Sequence, residues 1–273
     1  MRPAVRLAVA DVAPRADVAT GRKAISATLL TRNSRSHLRA VLESLQWCDE
    51  VIVLDTGSTD DSLDIAAEFG NCSIHRFDRL FEGFGAAHQH AVSLARNDWI
   101  LSVDSDEVIS PELAAEILAL QLDPACIYSL GFHTYVCGRL LRPPRWYLER
   151  HCRLFNRQAT NFTDRAVHEK VRSDGMQLVK LVNPVRHYSY DSLDDYLRKM
   201  QSYSTLFAQM NHGRRSSGPL RACLHGFWAF IRYYLLKGGV TQGFDGFALS
   251  LFQGQTTLWK YLKLHEANRR RTV

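Results

Sequence analysis

Asp104-Ser105-Asp106 carries two carboxylates at i and i+2, directly after the apolar run Trp99–Val103. A carboxylate at the end of a buried strand is costly without a partner. Two of them on one turn can share a divalent ion and a hydroxyl-rich ligand. Hard oxygen donors suit Mg²⁺ or Mn²⁺, ions that commonly bridge phosphates. The plainer alternative is a solvated turn that caps a helix beginning near Pro111. Asp55-Thr56-Gly57-Ser58-Thr59-Asp60 follows a second apolar run. Ser58 or Thr59 can cap a helix there, with Asp60 and Asp61 in its first turn. That accounts for all but Asp55, whose carboxylate at a strand end can accept from a base N–H or a ribose hydroxyl. Thr31-Arg32-Asn33 closes the first apolar run in the same manner, with Ser34 or Ser36 as an ordinary cap. No G-x-G-x-x-G follows that run and the chain has no P-loop, so phosphate charge must be met by a metal and basic residues instead of a glycine cradle.

The elements that must position these residues alternate. Ile25–Leu30, Val51–Leu54, Ser73–Phe77 and Trp99–Val103 are short apolar runs. Between the first two, Leu38, Val41, Leu42 and Leu45 recur at i, i+3, i+4 and i+7, a helical face. Leu63, Ile65, Ala66 and Phe69 precede Gly70 in the next gap, and Ala87, Ala91, Val92 and Leu94 fill the third. Strands alternating with helices predict a mostly parallel sheet flanked by helices, with ligands beyond its C-terminal strand ends. Ile127–Val136 reads as a further strand, Pro143 and Pro144 as a loop, and Arg153–Phe155 and Leu178–Val182 as short strands. After Asp191 the chain turns helical, with Leu193, Tyr196, Leu197 and Met200 on one face. Gly213–Gly218 breaks it before a last aromatic segment, Pro219–Leu264. These shifts divide the chain into a flexible extension over 1–23, an α/β domain over 24–190 and a helical, basic, membrane-proximal region over 191–273.

Charge follows the same division. From Lys180 onward there are 14 Lys/Arg and 5 Asp/Glu, a net of +9 in a chain whose total is +6. The basic end suits an anionic surface. Pro219–Leu264 adds Trp228, Phe227, Tyr233, Tyr234 and Trp259 beside Arg221, Arg232, Lys237, Lys260 and Lys263, a mixture that suits a helix in a lipid headgroup layer. A helix packed on the main domain is the alternative. No recognised nucleic-acid-binding motif occurs. No run reaches the about 18 apolar residues of a spanning helix, and Leu7–Ala10 is too short for a signal-peptide core. The six cysteines form no C-x-x-C pair and read as buried thiols of a reducing compartment.

Ile25–Asn33, Val51–Asp60 and Trp99–Glu107, in that order, resemble the nucleotide-binding half of family 2 glycosyltransferases, which have the GT-A fold. Phe84-Gly85, Leu101–Glu107, Arg153-Leu154-Phe155, Val167-His168-Glu169 and His187-Tyr188-Ser189-Tyr190 resemble, more narrowly, the bacterial group that glucosylates a heptose of the lipopolysaccharide inner core. Tyr234–Gly239, Gly243–Gly246 and Lys260-Tyr261 extend that resemblance over about residues 24–266. One position departs: the first motif of the family usually ends in Asn-Glu, and here Ser34 follows Asn33.

The resemblance implies an inverting transferase that moves a hexose, glucose in the nearest group, from a UDP-sugar to a lipid-anchored saccharide acceptor. It implies that Asp55 contacts the uracil or ribose, with Thr31, Asn33 and Gly57 nearby, and that Asp104 holds the ribose side. It further implies that Asp106 ligates Mn²⁺ or Mg²⁺ on the diphosphate, with His187 completing the metal shell. Glu169 is the implied general base, and His168 and Arg153 are the implied acceptor-side residues. The expected location is cytoplasmic, peripheral on the inner membrane. A different sugar or envelope acceptor, a non-catalytic nucleotide-sugar-binding module and a membrane adaptor remain as alternatives.

Overall fold

The computed structural model describes residues 23–77, 83–141, 148–163 and 170–270. All but Lys23 of the expected N-terminal extension, the Pro143-Pro144 loop, and His168 and Glu169 lie outside them.

Strands β1 (Ile25–Thr31), β2 (Glu50–Asp55), β3 (Cys72–Arg76) and β4 (Trp99–Asp104) form a parallel half-sheet in the order β3-β2-β1-β4. Strands of such a sheet are covered on both faces and therefore read as continuous apolar runs. Side chains alternate across it. Val51, Val53, Leu101 and Val103 join one core with Leu38 and Leu42 of α1 (Leu38–Ser44), Leu45 just after it, Ala66 of α2 (Ser62–Ala67), and Leu113 and Ile117 of α4 (Pro111–Leu118). Leu54 faces the opposite side and packs on Ala87 and Ala91 of α3 (Phe84–Leu94). Each apolar run expected as a strand or a helix in this half is found as one.

The second half of the sheet is mixed. Strand β8 (Arg150–Asn156) runs antiparallel to β4 and to β6 (Cys126–Val136), which carries a two-residue strand β7 (Arg139–Leu140) on a hairpin. Strand β9 (Gln177–Tyr190) pairs parallel with β6 and extends well beyond the expected Leu178–Val182. The last strand in the order, β5 (Glu107–Ile109), pairs antiparallel with β9. Only Ser105 and Asp106 separate β5 from β4, which lies in the middle of the sheet. The sheet must therefore curl back, and the turn between β4 and β5 sits where it does so.

From Leu193 onward the described chain is helical: α5 (Leu193–Asn211), α6 (Pro219–Ile231), a wider π-type turn over Arg232–Leu236, a short turn over Gly239–Gln242, and α7 (Gly243–Arg270). Helix α5 keeps only half of the expected face: Tyr196 and Met200 are buried, whereas Leu193 and Leu197 are exposed and Ser204 and Ala208 complete the buried stripe. The Tyr196 hydroxyl lies 2.6 Å from that of Thr256 in α7. Among the described residues no helix is long and apolar enough to cross a membrane. The cysteines differ from expectation. None of the six is in a disulfide, but Cys137 and Cys223 are exposed while Cys48 and Cys126 are buried. Cys137 sits on the β6–β7 hairpin and Cys223 on the outer side of α6, and neither position could be read from spacing.

Candidate active site

Parallel register brings the three strand ends together. Thr31 lies opposite Asp55, and Leu30 opposite Asp104. Hydrogen bonds lock the loops that follow. Thr56 N–H donates to the Thr31 carbonyl at 2.9 Å, Asn33 N–H to Ser58 Oγ at 3.0 Å, and Thr59 N–H to Asn33 Oδ1 at 2.8 Å. Asn33 holds a left-handed φ of 53°, a conformation that asparagine tolerates better than most residues. Gly57, at φ 110°, occupies a region that side chains rarely enter. Ser34 Oγ lies 2.7 Å from Ser105 Oγ, so the residue that departs from the family pattern ties the first loop to the acidic turn.

The capping expectation at Ser58–Asp61 is corrected here. Helix α2 begins at Ser62 with no side-chain cap bond from Asp61. Ser58 is engaged by Asn33 instead, and Asp60 Oδ1 accepts from Ser62 N–H at 3.1 Å. Local spacing allowed a cap, but a partner 25 residues away took the hydroxyl. The buried Asp55 carboxylate accepts from Ser58 N–H at 2.9 Å through Oδ1. Among the described residues no hydrogen bond reaches Asp55 Oδ2 or the buried Thr31 Oγ1. The acidic turn does not cap α4 either, because Ser110 Oγ takes that role by accepting from Leu113 N–H at 3.2 Å.

Around the turn, charges converge from four elements. Arg153 of β8 donates through Nη2 to Asp104 Oδ2 at 2.5 Å and to Glu107 Oε1 at 2.7 Å. Glu107 Oε2 in turn accepts from Asp104 N–H at 2.9 Å. Pairing of β5 with β9 sets Glu107 opposite His187, and Tyr188 N–H donates to the Asp106 carbonyl at 2.9 Å. That pairing holds His187 Nε2 3.7 Å from Asp106 Oδ1. Lys199 of α5 reaches the other oxygen, Oδ2, also at 3.7 Å. Tyr188 stacks on His37, which meets Asp191 at 2.6 Å and so joins the β1–α1 loop to the start of α5.

Burial raises all three acidic groups, and their neighbours separate them. At Asp104 the Arg153 guanidinium, helped by His88, outweighs burial and holds the carboxyl well below the usual carboxylate range. At Asp106 burial prevails: His187 and Lys199 offset it in part while Asp104 adds to it, so the carboxyl is raised. Glu107 is pushed well above its ordinary value by burial, with the Asp104 charge adding and Arg153 opposing. One guanidinium faces two carboxyls, and Asp104 keeps the negative charge. His88 of α3 is buried against Phe162, and burial pushes its imidazole down to about 4.

Asp55, Asp104, Thr31, Asn33 and Gly57 thus share one edge of the sheet, and Asp106 and His187 face each other beside it. Arg153, expected on the acceptor side, has its guanidinium on Asp104 and Glu107, where it orients carboxylates. Among the described residues no group of three or more His, Cys, Asp or Glu is placed to hold a metal. A carboxylate oxygen and an imidazole nitrogen 3.7 Å apart are nonetheless close enough for one small divalent cation, with bond lengths of about 2.1 Å, to reach both. Such an ion takes its other ligands from phosphate and water, so the donor set fits Mn²⁺ or Mg²⁺. Sequence reading missed Glu107, Lys199 and His37. Glu107 falls inside the quoted run Leu101–Glu107, whereas no local signal marks the other two.

A protein named uncharacterized glycosyltransferase in Rickettsia felis is 28% identical to this chain over 260 residues, covering 89% of this chain and 90% of its own. The lipopolysaccharide core biosynthesis glycosyltransferase LpsC of Rhizobium meliloti is 25% identical over 231 residues, covering 82% and 85%. Among solved structures, S. aureus TarS 1–349 aligns at a TM-score of 0.44 and 15% identity over 91% of this chain and 92% of that one. The α/β sheet with flanking helices and a C-terminal helical extension is the GT-A arrangement that the sequence implied. The family model for glycosyl transferase family 2 matches residues 26–186, which contain β2 to β8, most of β1 and β9, and the strand ends that bear Thr31, Asp55, Asp104 and Asp106, and the chain belongs to that family.

Proposed function

We propose that this glycosyltransferase is inverting and moves a hexose, glucose from UDP-glucose, onto a lipopolysaccharide core sugar. The observation that carries the reading is the Asp104-Ser105-Asp106 turn at the edge that also bears Asp55, with Asp106 against His187. The uridine fits beside Asp55, whose Oδ2 and the neighbouring Thr31 Oγ1 have no hydrogen bond among the described residues. Asn33 and Gly57 shape that end, and Asp104, held ionised by Arg153, accepts from ribose hydroxyls. Asp106 and His187 would hold Mn²⁺ or Mg²⁺, which supplies charge stabilisation to the leaving diphosphate. Glu169 takes the proton of the attacking acceptor hydroxyl, with His168 beside it. The lipopolysaccharide acceptor is supported by the LpsC relative and by the sequence resemblance. It gives a lipid-anchored substrate, worked on by residues 24–190 while 191–273 face the inner membrane from the cytoplasm.

A panel of UDP-glucose, UDP-galactose and UDP-N-acetylhexosamines, incubated with Mn²⁺ and no acceptor, tests the donor. Hydrolysis is expected with UDP-glucose above the others. Preference for another sugar would replace glucose, and no UDP-sugar turnover with intact UDP binding would favour a binding module. Glu169→Gln should keep UDP affinity and lose transfer by about 10²–10⁴-fold. An equal loss of UDP affinity would make Glu169 structural.

A further inference from the structure

Helix α6 is arranged the wrong way round for a helix bordering water. Its inward face is small. Ala222 and Gly226 are buried, and Gly226 crosses Gly254 of α7 so closely that a Cβ on either would lie 3.0 Å from the carbonyl oxygen of the other. Its outward face is large and apolar, with Leu220 74%, Leu224 61%, Phe227 67% and Trp228 57% exposed. Spacing of i, i+4, i+7 and i+8 aligns these in one stripe. Exposed Leu235 and Leu236 continue it into the π-type turn. Contiguous apolar surface of this kind marks an interaction site.

Charge identifies the occupant. From Tyr196 to Phe244 there is no Asp or Glu, while the same stretch holds 7 Lys and Arg. Arg214, Arg215, Arg221 and Arg232 are exposed around the stripe. Two copies meeting through this face would oppose like charges, which disfavours association. An anionic lipid surface satisfies both features at once, since arginines meet phosphates and rings enter the acyl boundary. We propose that α6 and the turn after it lie in the headgroup layer of an anionic bilayer, with Phe227 and Trp228 inserted.

This deepens the lipid-anchored acceptor reading and rests on it only for its purpose. The helical end is tied to the sheet through α7, which packs on α6. Arg139 of β7 meets Asp245 of α7 at 3.3 Å. Glu149 is held down by its hydrogen bond to His151, with Lys237 after the π-type turn and His187 both adding to the effect.

Co-sedimentation of the full chain with phosphatidylglycerol/phosphatidylethanolamine vesicles, against phosphatidylcholine alone, tests it. Binding to the anionic vesicles is expected, with a part that survives high salt. Phe227→Ser with Trp228→Ser should remove the salt-resistant part, by about ten-fold or more, and leave UDP binding as in the wild type. Arg214→Gln with Arg215→Gln should weaken low-salt binding on the order of 20-fold. The proposal is overturned if the chain ignores anionic vesicles, or if salt removes all binding and the aromatic substitutions change nothing. A dimer in sedimentation velocity that F227S/W228S dissolves, in a chain that ignores vesicles, would give the face to a second copy. UDP-sugar hydrolysis is read separately, so failure of the transferase reading and failure of this one are distinguishable.

Discussion

Arg153 shows how a single side chain can hold a site together. It is 12% exposed and its guanidinium faces Asp104 and the 3% exposed Glu107. Removing one partner from such a cluster leaves charge buried without compensation, at about 3–5 kcal/mol. Arg153→Met should therefore lose stability of that order at pH 8, read by urea unfolding. The loss should shrink toward pH 5, because Glu107, already raised by burial, then takes up a proton. A pH-independent loss would mean that packing, and not charge, is what Arg153 supplies. Asp106→Ala should abolish turnover and lower Mn²⁺-dependent UDP affinity on the order of 10²-fold or more. Isothermal titration of UDP with and without Mn²⁺ measures it, and an unchanged Mn²⁺ dependence would remove Asp106 from the metal.

At the scale of elements, the acidic turn depends on a strand of three residues. Strand β5 is too short to give a period in sequence, yet its pairing with β9 sets His187 against Asp106. The helical end depends on close approach instead. Gly246 of α7 lies against Gly239, and a methyl at Gly246 would run into the Gly239 carbonyl oxygen. Gly246→Ala should destabilise the protein by about 1–3 kcal/mol, the usual effect of overpacking, as a lowered midpoint in thermal unfolding. Donor hydrolysis per folded molecule should stay close to wild type, since the turn at Gly239–Gln242 packs on α7 and on the π-type turn before it. An unchanged midpoint would show that the turn yields without cost.

At the scale of the whole molecule, stability is linked to pH through His88. Its imidazole sits at about 4 in the fold against about 6.5 in an unfolded chain. Between those values the unfolded chain binds more protons, so stability is full above about pH 6.5 and declines as pH falls toward 4, by up to about 1.4 kcal/mol per pH unit. Urea unfolding across that range should show the decline, and His88→Gln should flatten it whatever its effect at pH 7. Equal slopes in both proteins would place the linkage in another group.

Much of this was legible in the chain itself. Continuous apolar runs marked β1, β2 and β4, because a parallel strand covered on both faces has no polar side to disguise it, whereas β3 at the sheet edge, with Ile74 exposed, carries a mixed run. The rule that ligands gather beyond the C-terminal strand ends then pointed to Thr31, Asn33, Asp55 and Asp104, and register brings them to one edge. What sequence could not give depends on contacts between distant segments. Ser58 was free to cap a helix until Asn33 engaged it across the sheet. Arg153 matched a motif without revealing that its charge faces Asp104 and Glu107, 49 and 46 residues away. Lys199 reaches Asp106 from a helix whose apolar pattern carries no information about where its charged side chains end. The aromatic content of Pro219–Leu264 fitted core or surface equally well, because composition does not say which face of a helix meets a neighbour. The Gly226–Gly254 crossing decided it, turning the small residues of α6 inward and leaving Phe227 and Trp228 outside.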